Sequence, residues 1–492
     1  MRNIVLTEKQ QACVHFAHNR DLLVRGIAGS GKSVVLVNRA QALAEGAAEK
    51  GKKPRIALLT YANSLVSYMQ EILDADGEQY DSIEVSTLDK VANRLAKNLL
   101  GVKIDFVFPK DFSKGKTVQE AVEALREKQK QEHIEIDNRF FREEYRTFLQ
   151  DEIEWMRQHN MKTEQEYLAC TRTGRGSVRP SVTERKLIYA IYENYYKLLA
   201  DKGIHDIDTV YNAVYERRNE ISEEEKYDFM LIDECQDLTL NKLLIARALT
   251  RISLTLAADF AQKIYKTGFT WKELGINIRG QASKKLTGTH RNTYEILKLA
   301  QGLVTHNSEL QNMADEYIEP ELPSEHGNMP QLYKEKSFYT QNGKIIELVK
   351  KITKQYPEHT IGIILSSRKE MEKLQEVLQK CRINVQLIKA RENYSVLQPG
   401  VKLVTYYSSK GLEFDDVILP SLQNNKLGCR CGDNISDEDK MDQENHARNL
   451  LYVGMTRARE NLFLLYVENE HYQPQPILAD LDKSLLKVQN DG

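Results

Sequence analysis

The chain has 492 residues, more than a single hydrophobic core accommodates, and its length fits about three or four domains. A formal net charge of −2 excludes a polycation, so any grip on nucleic acid must come from local grooves, and near-neutrality argues against a membrane-surface protein. No stretch approaches the roughly 18 apolar residues of a membrane span, and the N-terminal residues 1–7 lack a signal-peptide core, so a cytoplasmic protein with no membrane partner is expected. The six cysteines are scattered; Cys429 and Cys431 near His446 read as free thiols in a loop, and neither disulfides nor zinc are expected.

In chain order, residues 1 to about 97 alternate short apolar runs (Leu22 to Val24, Ile56 to Leu59, Ile83 to Val85) with helical patterns, the first of them from Ser33 to about Ala44. That alternation predicts a parallel α/β sheet. From about 98 to 227 the chain turns rich in Glu, Lys, Arg, Gln and Tyr at helical spacing, as in Val118 to Lys130 and Glu184 to Leu199, which predicts a helical insertion. The acidic run Glu223 to Glu225 reads as a solvated turn. The α/β pattern resumes at Phe229 to Ile232 and Ile252 to Ala257, so the insertion interrupts the first domain. His306 to about Gln331 reads as surface connection, and strands at Ile361 to Leu365, Val401 to Thr405, Val417 to Leu419 and Leu462 to Tyr466 predict a second α/β domain. The expected division is 1–97 and 228–285 for the first domain, 98–227 for the insertion, and 286–492 for the second domain.

Two stretches carry chemistry. Gly26-Ile27-Ala28-Gly29-Ser30-Gly31-Lys32-Ser33 follows a strand and opens a helix. Its backbone N–H groups would wrap an anionic oxygen at the positive helix end, Lys32 would reach the outer phosphates, and Ser33 would ligate magnesium. Leu231-Ile232-Asp233-Glu234-Cys235-Gln236-Asp237 ends another strand with paired carboxylates; Asp233 would hold the metal and Glu234 the attacking water. A glycine-rich turn alone can be a tight connection, but the added acidic strand end predicts Mg-ATP hydrolysis.

The order of further segments resembles the UvrD/Rep-type helicases of superfamily 1A, over most of the chain outside the insertion. The resemblance implies two RecA-like P-loop domains with a helical insertion in the first. Leu6-Thr7-Glu8-Lys9-Gln10 is similar to the Q motif, in which Gln10 would read the adenine edge. Thr60-Tyr61-Ala62-Asn63 looks like motif Ia and Val85-Ser86-Thr87-Leu88-Asp89 like motif Ib, with Asp89 where the family usually has histidine; Thr60, Asn63 and Thr87 would touch single-stranded DNA. Asp233 to Asp237 is similar to the DExxQD box. Ala258 to Tyr265 resembles motif III: Gln262 would sense the γ-phosphate and Tyr265 would stack on a base. The family's tryptophan two residues after that tyrosine is Thr267 here, and Phe269 or Trp271 is the candidate substitute π-face, a core or rim role for Trp271 being the alternative.

Leu286 to Asn292 looks like motif IV, giving Arg291 the γ-phosphate arginine role and placing His290 where a tyrosine stacks on adenine. Thr405 to Phe414 resembles motif V; Thr405 and Tyr407 would contact DNA, with Tyr407 in place of a usual histidine, and Glu413 would bind the ribose or order the γ-phosphate region. Leu451 to Arg459 resembles motif VI, with Arg457 as arginine finger. The family implies 3′ to 5′ stepping on single-stranded or 3′-overhang DNA, with ATP and Mg2+ as cofactors.

Only about 110 residues separate motif IV from motif V, too few for the family's large accessory domain 2B, so translocation is better supported than processive unwinding. The insertion corresponds to accessory domain 1B; within it Arg172 to Arg179, including Arg175, reads either as a phosphate-contacting loop or as a solvated basic turn. About 30 residues follow motif VI, without room for a nuclease domain, so any cutting would come from a partner nuclease. The size and layout resemble the helicase-like subunit of Gabija-type antiviral systems. The competing class is a DNA-gated ATPase that senses or scaffolds without net unwinding. A P-loop enzyme for small molecules would not explain motifs Ia, III, V and VI in order.

Overall fold

The computed structural model describes residues 5–490 except 50, 52, 62, 102–112, 134–136, 173–174, 176–177, 205–206, 263–267, 270, 272, 276–281, 290, 313–317, 389–397, 425 and 428–436. The chain is α/β, as expected, with two all-parallel sheets among the described residues. The first contains β1 (Leu22–Gly26), β2 (Ile56–Thr60), β3 (Ile83–Thr87), β4 (Tyr227–Ile232), β5 (Thr250–Ala258) and β6 (Ser283–Leu286), in the order β3-β2-β4-β5-β1-β6. The second contains β7 (Gln331–Glu335), β8 (Thr360–Leu365), β9 (Val385–Leu387), β10 (Gly400–Thr405), β11 (Phe414–Leu419), β12 (Ala458–Val467) and β13 (Lys487–Asn490), in the order β13-β7-β12-β11-β8-β10-β9.

Helices cover both faces of a parallel sheet, so its central strands read as continuous apolar runs. Leu58, Leu231 and Leu256 are at most 1 % exposed for this reason. The helix Lys32–Ala48 packs one side of the first sheet through Val35, Leu36 and Ala40. On the other side lies Leu88–Leu100, through Val91 and Leu95.

Between β3 and β4 the chain makes a helical layer with a core of its own. Lys114–Gln131, Arg146–Gln158 and Val182–Asp201 pack Val118, Phe148, Trp155, Ile188 and Tyr195 together. Ser181 caps the last of these in a capping box with Glu184, which satisfies backbone donors that the first helical turn leaves open. Glu223–Glu225 is a short exposed 3-10 turn.

Four strands lie outside the predicted set, and all are short: β6, β7, β9 and β13. Three of them, β6, β9 and β13, are sheet edges. The segment read as surface connection also holds the helix Ser308–Asn312 and a bridge from Glu321 to Gly288.

Candidate active site

The carboxyl ends of the first sheet's strands gather the predicted residues. Lys32 follows β1, Thr60 and Thr87 end β2 and β3, Asp233 follows β4, Asp259 follows β5 and Arg291 comes after β6. This is the edge where open α/β sheets bind ligands. The second sheet contributes differently: Glu413 and Arg457 immediately precede β11 and β12, at their amino ends.

The loop after β1 needs two glycines for conformation and closeness. Gly29 and Gly31 have φ of 71° and 78°, and Gly31 forms the left-handed N-terminal boundary of the helix Lys32–Ala48. A Cβ on Gly29 would lie 2.5 Å from Thr289 Oγ1, and one on Gly31 would lie 2.6 Å from Gln10 Nε2. Gln10 donates from Nε2 to the Ser30 carbonyl (3.0 Å) and accepts at Oε1 from the Thr7 N–H (2.9 Å). Lys32 Nζ donates to the carbonyls of Gly26 (3.1 Å) and Ile27 (2.9 Å) and lies 3.6 Å from Asp259 Oδ2.

Ser33 Oγ donates to Asp233 Oδ2 at 2.5 Å. Glu234 has φ 54° and ψ 36°, a left-handed backbone that side-chain-bearing residues rarely adopt. Gln236 Nε2 donates to Glu234 Oε2 at 2.5 Å. Lys410, from the second half of the chain, is buried against Asp237, lies 3.5 Å from Glu234 Oε2 and donates to the Gln262 carbonyl at 2.6 Å. Burial and then the adjacent Glu234 push the Asp233 carboxyl up to about 6. For Glu234 burial acts in the same direction, but Lys410 and then Lys32 outweigh it and hold the group at about 2. Lys410 itself stays charged: burial disfavours its ammonium, but Asp237 and Glu234 raise it above its ordinary value.

Two more pairs bring in Glu413 and Arg457. Arg291 Nη2 pairs with Glu413 Oε1, which outweighs the effect of burial and lowers the Glu413 carboxyl. Arg457, 1 % exposed, donates from Nη2 to Gln262 Oε1 at 2.5 Å, and Gln262 Nε2 donates in turn to Asp259 Oδ2 at 2.6 Å. Burial, then the nearby Arg291, brings the Arg457 guanidinium down to about 9. Gln10, the glycine loop, Lys32, Ser33, Tyr68, Glu234, Gln262, Arg291, Glu413 and Arg457 line one cavity of about 340 Å³.

The cavity fits a nucleotide and a hard cation on its own chemistry. Ser30 Oγ and Arg291 Nε are buried polar atoms without a hydrogen-bond partner. Ser33 and Asp233 offer paired oxygens, the donor type that magnesium takes, and it normally keeps waters and phosphate oxygens besides one or two protein ligands. Among the described residues no cluster of three His, Cys, Asp or Glu is arranged to hold a metal.

The residues expected at DNA are less uniform. Thr60 is buried, and Thr87 caps the helix Leu88–Leu100 by accepting from the Lys90 N–H at 3.3 Å. Thr405 Oγ1 accepts from the Ser408 N–H at 3.1 Å, and the exposed Tyr407 hydroxyl lies 3.1 Å from His446 Nε2. Trp271 is half-buried and meets Phe260 and Phe269 edge-on, at 6.2 and 5.3 Å between ring centres, against the first domain's core. Tyr265, His290, Cys429, Cys431 and the side chain of Asn63 lie outside the described residues.

Arg175 requires a correction. It is 6 % exposed and donates from Nε to Glu152 Oε2 at 2.8 Å, beside Arg172, which donates to the same carboxylate at 2.7 and 2.8 Å. Neither a phosphate contact nor a solvated turn describes a guanidinium committed to a buried carboxylate. Asp89 likewise serves the fold, accepting from Tyr211 Oη (2.6 Å) and pairing with Lys242 (2.8 Å). Lys410 is the residue that motif reading passed over: it sits inside the Lys-Gly-Leu-Glu-Phe signature, and that position in the motif was the available signal.

The UvrD/REP helicase N-terminal domain matches residues 6–270 and the UvrD-like helicase C-terminal domain matches residues 384–469. A "Probable DNA helicase" of Mycoplasma pneumoniae is 24 % identical over 510 residues, covering 98 % of this chain and 88 % of that protein. The "ATP-dependent DNA helicase PcrA" of Leuconostoc citreum is 33 % identical over 100 residues, 19 % of this chain and 13 % of the relative. A solved C-terminal domain of a "possible DNA helicase" from Lactobacillus plantarum is matched over 40 % of this chain and 97 % of that one, at 23 % identity and a TM-score of 0.29. With the N-terminal match alone spanning more than half of its length, the chain belongs to the UvrD/REP family of ATP-dependent DNA helicases.

Proposed function

We propose that the chain steps 3′ to 5′ along single-stranded DNA, coupling each step to Mg-ATP hydrolysis in the cleft between the two sheets, in the cytoplasm. The reading rests on one observation above all: Lys32 and Glu234 from the first sheet line the same cavity as Glu413 and Arg457 from the second, with Arg291 from the junction. Phosphoryl transfer spreads negative charge over the γ-oxygens, and preorganised cations stabilise it. In this assignment Gln10 and His290 hold the adenine, and Gly26, Ala28, Gly29, Ser30 and Gly31 present backbone donors to the phosphates. Lys32, Gln262, Arg291 and Arg457 meet the γ-phosphate. Ser33 and Asp233 hold magnesium, which neutralises phosphate charge. Glu234, ionised at neutral pH, orients a water and accepts its proton.

The domain limits that go with this reading are 97, 227 and 285. Cations on both halves favour a closed cleft while the nucleotide is a triphosphate and release it afterwards. Thr60, Asn63, Thr87, Tyr265, Thr405, Tyr407 and, at the rim, Trp271 would then change their hold on the strand in turn. A second reading, a DNA-gated ATPase working beside a nuclease in repair or antiviral defence, is favoured by the short span between Arg291 and Thr405. The strands β7 to β10 and the helices Tyr294–Thr305, Phe338–Gln355 and Arg368–Lys380 account for most of it.

Steady-state ATPase with and without single-stranded DNA, run beside displacement of a 3′-overhang duplex, separates the readings. DNA-stimulated hydrolysis with displacement is the expected result. Stimulation without displacement selects the second reading, and absence of stimulation overturns both.

A further inference from the structure

The helix Asn63–Leu73 touches three parts of the machine. Its first residue is a proposed DNA contact. Leu65, buried, packs so closely on Gly411 of the second half that a Cβ there would lie 2.7 Å from Leu65 Cδ1. One turn further on, half-buried Tyr68 lines the ATP cavity together with Glu234, Arg291, Glu413 and Arg457.

The cavity has two poles. Gln10, tied to the Ser30 carbonyl, marks the proposed adenine side, and Asp233, bonded to Ser33, marks the metal side. Tyr68 belongs to the second: Leu65, one turn before it, packs on Gly411, two residues from Glu413, and Glu413 pairs with Arg291 in the cavity that Tyr68 lines. Burial, then Glu413, keeps its phenol protonated up to about 12, so the hydroxyl retains a proton to donate. Three cations, Lys32, Arg291 and Arg457, line the same cavity, and the Tyr68 hydroxyl adds a neutral donor to them.

Building on the ATP-cleft reading, we propose that the Tyr68 hydroxyl donates a hydrogen bond to the outermost phosphate of ATP. It is then a determinant of triphosphate over diphosphate, carried on the helix that starts at the DNA-contact loop. The closing contact of Leu65 with Gly411 places the hydroxyl only when the two halves are together.

The test is the affinity of the full chain for Mg-AMPPNP and Mg-ADP, measured with methylanthraniloyl nucleotides, in wild type and Tyr68→Phe. That variant keeps the ring and its packing, and a matching thermal melt confirms its fold. Loss of a hydrogen bond to a charged group predicts about tenfold or more weaker AMPPNP binding, with ADP changed less than about twofold. Equal loss for both nucleotides makes Tyr68 a packing residue and overturns the proposal, as does no loss for either. If wild type binds neither nucleotide, the ATP-cleft reading itself fails, a result distinct from an unchanged ratio.

Discussion

Two clusters of buried carboxylates and cations among the described residues, one in the helical layer and one in the cleft, have opposite meanings. In the helical layer Glu152, fully buried, accepts from Tyr167 Oη (2.7 Å), twice from Arg172 and once from Arg175. Its acceptor capacity is filled, and the cluster does not line the cleft cavity. In the cleft, Glu234 and the paired Arg291 and Glu413 line an open cavity together with Lys32 and Arg457, with Ser30 Oγ and Arg291 Nε still unpartnered. A saturated cluster holds helices together; an unsaturated one is arranged for something that is not protein. Burial and charge alone do not distinguish them; the difference is that both oxygens of Glu152 are taken by protein donors, whereas the groups of the cleft line a cavity.

The contrast breaks most sharply at the cleft. Lys32→Ala and Glu234→Gln are expected to lower DNA-stimulated ATPase by at least about a hundredfold while leaving the circular dichroism spectrum unchanged; robust turnover in either would dissolve the functional half of the comparison. Arg457→Ala should cut turnover by on the order of a thousandfold if it meets the γ-phosphate in the transition state, with ATP affinity falling far less. Rapid-quench and equilibrium binding measurements separate the two effects.

At the saturated cluster the expected loss is stability. Glu152→Ala leaves two guanidinium groups without their carboxylate and should cost about 3 to 5 kcal/mol in denaturant unfolding, with ATPase per folded molecule retained. A pH series sharpens this. Burial would raise the Glu152 carboxyl, but Arg175 and Arg172 outweigh it and hold it at about 2 against an ordinary 4.5. Its contribution is therefore complete above about pH 4.5 and drains away as the pH falls toward 2, a loss that Glu152→Gln should not show. The smallest effect belongs to the rim: Trp271→Ala should weaken single-stranded DNA by about 1 kcal/mol if the indole stacks on a base. Unchanged DNA affinity leaves it with its partners Phe260 and Phe269 alone.

Much of this was legible in the residues. Central strands such as Ile56–Thr60 and Phe229 to Ile232 are long enough and apolar enough to announce themselves, because both their faces are covered. Ser283–Leu286 and Lys487–Asn490 are short and carry lysines and polar groups, as edge strands do, so their pattern is that of a loop. The glycine loop and the acidic strand end were readable because each role depends on a few adjacent residues. Arg175 was not, because its partner lies 23 positions upstream, on the helix Arg146–Gln158, and only packing brings a carboxylate to it. Lys410 and Asp237 are 173 positions apart, and no local pattern announces a pair that forms across the cleft.

The left-handed backbone at Glu234 sets a cost of about 1 to 3 kcal/mol that the rest of the fold must offset. A glycine there would relax it, but would take from Gln236 Nε2 and the buried Lys410 the carboxylate they lie against. The strained backbone and the ionic contacts of its side chain are therefore coupled, so that neither can be changed at this position without changing the other.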